Sequence, residues 1–138
     1  MLVVDDSPAD REYCEIMLQQ AGGYGQILHA ETGEQALALL ASHEESRRAH
    51  PETLPIRVIF LDINMPRMNG FEFLEAYESS RLNAAPGEVA AVVIVMLSSS
   101  GNERERRRAE AFPSVLRWIE KPLTHQQAGE IRNWLLTR

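Results

Sequence analysis

Short apolar runs alternate with helical patterns along the whole chain, and this alternation limits the fold more than any other feature. Met1–Val4, Gln26–Ala30, Ile56–Leu61, Val92–Leu97 and Val115–Ile119 read as strands. After each, apolar side chains recur at helical spacing. Cys14, Met17, Leu18 and Ala21 share one face, and Ala36, Leu37, Leu40 and Ala41 another. Phe71, Leu74 and Tyr77 mark a third helix, the mostly polar stretch 102–111 a fourth, and Ala128, Ile131, Trp134 and Leu135 a fifth. Ser7-Pro8 opens the first helix and Gly22-Gly23 closes it, while Thr32 with Gln35 forms a capping box for the second. Five strands alternating with five helices require right-handed crossovers, hence a parallel sheet covered by helices on both faces. Residues 43–55, polar and with two prolines, predict an elongated loop or frayed helix end. Asn69-Gly70 predicts a turn and residues 83–87 a second polar loop.

At 138 residues the chain has the length of a single domain spanning 1–138, long enough to bury a core without disulfide or metal. Its one cysteine, Cys14, reads as a small core residue, and its lack of a partner fits a reducing cytoplasm. The longest apolar run, Val89–Leu97, is nine residues, too short to span a bilayer, and acidic Asp5 and Asp6 follow only four residues of possible leader. A soluble, cytoplasmic protein without a membrane is expected. Net charge is −6, unevenly spread. Residues 101–138 hold eight Lys or Arg against five Glu, so the first hundred carry −9, which argues against a nucleic-acid groove. Arg104, Arg106, Arg107 and Arg108, interleaved with Glu103 and Glu105, read as a solvated helix face with internal ion pairs, or as a docking surface for an acidic partner. His29, His43, His50 and His125 show no ligand spacing and read as surface residues.

In a parallel α/β sheet, ligands sit beyond the carboxyl ends of the strands. Here the first strand ends in Asp5-Asp6, the third in Asp62, the fourth in Ser98-Ser99-Ser100 and the fifth in Glu120-Lys121-Pro122. Three carboxylates on one edge repel one another, a conflict that a divalent cation relieves. Oxygen ligands of this kind suit Mg²⁺, which keeps waters and takes phosphate oxygens. The set describes phosphoryl transfer to a carboxylate. Asp62, after the central strand, is the expected nucleophile. Asp5 and Asp6 would hold the metal, and Lys121 and Ser98 would take phosphoryl oxygens.

The segments VVDD (3–6), IFLDINMPRMNGFEFL (59–74), VIVMLSSS (93–100) and IEKP (119–122) follow one another in an order that resembles the receiver domain of two-component response regulators. The likeness is greatest to single-domain regulators of the chemotaxis type. It implies a doubly wound, flavodoxin-like α/β domain with strand order 2-1-3-4-5. It further implies a phosphoprotein of a signal-transduction phosphorelay, with Asp62 accepting a phosphoryl group from a histidine kinase or phosphotransfer protein. By the same resemblance Asp6 is the direct metal ligand, Asp5 lies near it, and Asn64 supplies a backbone carbonyl. Ser98, with Ser99 as the alternative, is the switch hydroxyl, Lys121 the phosphoryl-binding lysine, and Lys121-Pro122 a cis bond. Trp118 stands where the family usually has Tyr or Phe, and its size restricts the inward swing of such a switch residue. Output is expected through the face of helix four, strand five and helix five, toward a partner protein, since no residues remain for an output domain unless the chain belongs to a longer regulator.

Two rivals belong to other classes. An aspartyl-phosphate phosphatase needs a second Asp two positions after the nucleophile, and Asn64 stands there, so turnover on phosphate esters is expected to be negligible. A docking module that works without phosphorylation would not need the acidic cluster or Lys121.

Overall fold

The structure, a computed structural model, describes residues 1–65, 67–82 and 92–137. The loop expected at 83–87 therefore lies outside the described residues. Five strands, β1 (Leu2–Val4), β2 (Leu28–Ala30), β3 (Val58–Asp62), β4 (Val93–Ser98) and β5 (Val115–Glu120), form one parallel sheet in the order β2-β1-β3-β4-β5. They alternate with α1 (Pro8–Ala21), α2 (Gly33–Ala49), α3 (Gly70–Leu82), α4 (Glu103–Glu110) and α5 (His125–Leu136). This is the doubly wound arrangement expected from the alternation.

The period-two pleat explains how short strands serve two cores. Leu2, Val4, Ile59, Leu61, Ile94 and Met96 point to one face, where Ala36, Phe71, Leu74, Tyr77 and Ala109 of α2–α4 cover them. Val3, Val58, Phe60, Val95, Leu97 and Ile119 point to the other, against Cys14 and Leu18 of α1 and Ala128 and Ile131 of α5. Phe60 and Phe73 are fully buried, and truncating either to Ala is of the kind that costs about 3–5 kcal/mol. In β5 the register slips by one residue between the partners of Ile94 and Val95. That bulge turns Leu116 and Arg117 together toward α5, where Arg117 pairs with Glu130 at 3.0 Å.

Of the two readings of residues 43–55, loop or helix end, the first part takes the helix end: α2 continues to Ala49. No proline interrupts it before Pro51. Glu44 and Arg47 pair at 3.0 Å one turn apart, and Arg47 and Arg48 in the last turn suit the negative end of the helix dipole. The chain then folds back, with Thr53 O accepting from Arg47 Nε and Leu54 O paired with His43 Nε2 at 2.8 Å. His43 is thus half-buried and engaged rather than a free surface residue, and His29 is half-buried beside Glu15 at 3.3 Å. On α5, Ala128 and Ile131 are buried as expected, whereas Trp134 and Leu135 are half-buried, Leu135 packing against the core.

Candidate phosphoacceptor site

Four of the five strands, β1, β3, β4 and β5, deliver polar residues to the same edge. Asp5 follows β1, and its N–H still bonds Ala30 O, so the residue is held as a continuation of the strand. Its Oδ1 accepts the Ser7 N–H at 2.9 Å, and Ser7 in turn caps α1. Asp6 is exposed beside it. Asp62 closes β3, next to Leu97 of β4, and its Oδ1 accepts the Asn64 N–H at 3.3 Å. Asn64 is exposed and meets Asp62 through that N–H. Ser98 is fully buried at the end of β4, while Ser99 and Ser100 are exposed. Its Oγ donates to Ser100 O at 3.0 Å and accepts the Ser100 N–H at 3.1 Å. Of the three serines, only Ser98 points into the interior.

Lys121 follows β5, tied by its N–H to Ser98 O at 2.7 Å, and the bond to Pro122 is cis. Its Nζ donates to Asp5 Oδ2 at 2.8 Å and Asp10 Oδ2 at 2.9 Å, and lies 3.4 Å from Asp62 Oδ1. One ammonium thus faces three carboxylates. Gly70 allows this edge to be compact. A Cβ there would come 2.8 Å from the Ile63 Cα and 3.3 Å from Asp62 O, so only glycine lets α3 start directly against the end of β3. Asn69-Gly70 proves to be a helix start: Asn69 Oδ1 accepts the Glu72 N–H and Glu72 Oε1 accepts the Asn69 N–H.

Burial, and next the charge of Asp5, push the Asp62 carboxyl up to about 6, against the pull of Lys121 and the Asn64 N–H. Burial works against the Lys121 ammonium, but its bonds to Asp5 and Asp10 and the charge of Asp62 outweigh this and raise its pKa. Asp5, Asp6 and Asp62 each offer an oxygen, all within 4.8 Å of one another. Three hard oxygen donors, of which the Lys121 ammonium meets those of Asp5 and Asp62, and one carboxyl made hard to ionise, fit a small divalent cation such as Mg²⁺.

Asp10 and Arg11 were not singled out from the sequence. Both lie in the first turns of α1, where Asp10 reaches Lys121 and Arg11 donates to Asp5 O at 2.6 Å while pairing with Glu31 at 3.5 Å. Trp118 is half-buried on β5, opposite Met96 and against the core under α2–α4, away from the carboxylates. Cys14 is buried near the site, and burial pushes its thiol up to about 12, so it is inert as a nucleophile.

The comparisons with known proteins agree with this geometry. Residues 1–130 match the response regulator receiver domain. The two-component response regulator ORR1 of Oryza sativa subsp. japonica is 30% identical over 136 residues, covering 96% of this chain, and the chain spans about half (53%) of that relative. The chemotaxis protein CheY homolog of Campylobacter jejuni is 29% identical over 130 residues, 94% of this chain and 86% of that protein. Among solved structures, a two-component response regulator from Cytophaga hutchinsonii superposes with a TM-score of 0.80 at 24% identity, covering 99% of this chain and 96% of that one. CheY4 of Vibrio cholerae superposes with a TM-score of 0.68 at 26% identity, covering 96% and 94%. No helix among the described residues is long and apolar enough to cross a membrane. The match over almost the whole length, on a five-stranded sheet that gathers its acidic residues at one edge, makes this chain a member of the response regulator receiver domain family.

Proposed function

We propose that residues 1–138 work as one cytoplasmic receiver domain whose Asp62 accepts a phosphoryl group and whose partner binding changes as a result. The observation that carries this reading is the placement of Lys121 Nζ 3.4 Å from Asp62 Oδ1, beside three carboxylates with oxygens within 4.8 Å. A sensor histidine kinase or a phosphotransfer protein would supply the phosphoryl group. An Asp62 carboxylate oxygen attacks phosphorus, the P–N bond to the donor imidazole breaks, and its electron pair stays on that nitrogen. The product is an acyl phosphate on Asp62, which water later hydrolyses to carboxylate and inorganic phosphate.

Lys121 offsets charge on the phosphoryl oxygens, and the Ser98 hydroxyl turns from Ser100 to donate to one of them. Asp5, Asp6, Asp62 and the Asn64 carbonyl would hold Mg²⁺. When bound, that ion neutralises the carboxylates and the charge on the transferring group. The domain acts on its own aspartate, not on external substrates. Signal leaves through α4, β5 and α5, with Trp118 and the arginines of α4, toward a downstream protein.

Incubation with Mg²⁺ and radiolabelled acetyl phosphate tests the reading. One label per chain is expected on the wild type and none on Asp62→Asn, with a Mg²⁺-dependent change in Trp118 fluorescence in a Trp134→Phe background. A wild-type protein that takes no label, from acetyl phosphate or from a phosphorylated donor domain, would leave the docking module as the better account.

A further inference from the structure

Lys121 is the only lysine in the chain; every other fixed cation is an arginine. Its ammonium has three N–H donors, and in the resting protein Asp5 and Asp10 take two while the third faces Asp62 at 3.4 Å. A phosphoryl group on Asp62 adds new acceptor oxygens, and an ammonium held by Asp5 and Asp10 has one donor left for them. A second bond to the phosphoryl group, or a closer approach to it, requires one of those two contacts to yield. The two firm partners are not alike. The Asp5 side chain is 3% exposed and fixed by the Ser7 N–H, whereas that of Asp10 is 49% exposed, so water can replace its bond. A cavity of about 50 Å³ lined by Asp5, Asp10, Tyr13, Cys14, Leu97 and Lys121 lies beside the pair, with room for a water to take the vacated place.

We propose that Asp10 is a positioning residue that retains the Lys121 ammonium in the resting state and competes for it with the phosphoryl group on Asp62. The proposal rests on the phosphoacceptor reading above. Asp10 restrains phosphorylation in two ways that add. It holds the lysine partly off the reacting group, and it places one more negative charge beside an anionic donor. Removing its charge frees the ammonium and relieves that repulsion.

The single lysine makes the test direct. With ¹⁵N-labelled lysine, metal-free protein gives one side-chain ammonium signal. In Asp10→Asn that signal is expected to shift and its protons to exchange with water several-fold faster, with Asp10→Glu restoring most of the protection. With Mg²⁺ and acetyl phosphate, Asp10→Asn is expected to label several-fold faster than wild type. In a Lys121→Met background the same substitution is expected to accelerate labelling clearly less, because only the relieved repulsion remains when the lysine is gone. An ammonium signal unchanged in Asp10→Asn, with wild-type labelling intact, would overturn the role of Asp10 alone. So would an equal acceleration with and without Lys121, which would reduce Asp10 to a background charge. Absence of label on every variant would instead bring down the phosphoacceptor reading itself.

Discussion

Charge gathers in two places in this molecule, at the carboxyl edge of the sheet and along α4, and the two behave oppositely. At the sheet edge the side chains of Asp5, Asp62 and Lys121 are 3%, 6% and 18% exposed, and carboxylates outnumber cations. On α4 the Arg106 side chain is 52% exposed and sits between Glu103 at 3.6 Å and Glu110 at 2.7 Å, so its charge is paired within the helix, and wet. Water screens the second set, whose pairs contribute little. Burial leaves the first set poorly screened, and one carboxyl is pushed up to about 6 in consequence. Unbalanced, buried charge is destabilising by itself, and it is the character of the proposed phosphoacceptor site. Paired, exposed charge marks a surface.

Removing the one cation of the buried set gives the largest expected effect. Lys121→Met is expected to slow labelling by acetyl phosphate about 10²-fold, the scale for losing a donor to a developing oxyanion. A rate within twofold of wild type would deny the lysine its role and blur the contrast between the two regions.

The second effect is on stability. Burial and the charge of Asp5 raise Asp62 from 3.8 to about 6 in the folded, metal-free protein. Between those values the folded state keeps a proton that the unfolded chain releases, so stability falls as pH rises through the window, and the full cost is present above it. Metal-free Asp62→Asn lacks this cost. It is expected to be more stable than wild type at pH 7 by up to about 2–3 kcal/mol. The gain should shrink toward zero near pH 4. Denaturant titrations at both pH values measure it, and a gain independent of pH would assign the effect to something other than this carboxyl.

The smallest effects belong to α4. Arg106→Gln is expected to leave the melting temperature unchanged within measurement. Arg108→Gln should cost slightly more, up to about 1 kcal/mol, because Arg108 also lies 4.1 Å over the Phe71 ring and 3.7 Å from Glu75 of α3. Thermal melts of the two variants side by side rank them, and a larger loss from Arg106 would reverse the reading of this helix as surface.

The sheet was legible in the sequence because its strands are mostly apolar, and β1, β3, β4 and β5 end on or run into polar residues, so these four announce both themselves and the site. Ser98 was separable from Ser99 and Ser100 by the same logic: it directly continues the buried run of β4. Residues 43–49 were left between loop and helix end because Glu44, Glu45, Arg47 and Arg48 carry no apolar stripe. Their helix persists through ion pairing and the absence of a breaker before Pro51, which hydrophobic spacing does not report. Asp10 escaped notice for another reason. An acidic residue in the first turn of a helix is ordinarily read as a dipole partner. Only the three-dimensional return of α1 over the end of β5 brings it to Lys121, 111 positions away.

Borohydride reduction after phosphorylation tests the central claim most directly, because it converts an aspartyl phosphate into homoserine at the position that carried it. With Mg²⁺ and a phosphodonor, homoserine is expected at position 62, and none is expected when the metal is chelated. Homoserine at another aspartate, or at none while a donor kinase is demonstrably losing its phosphoryl group, would contradict the account.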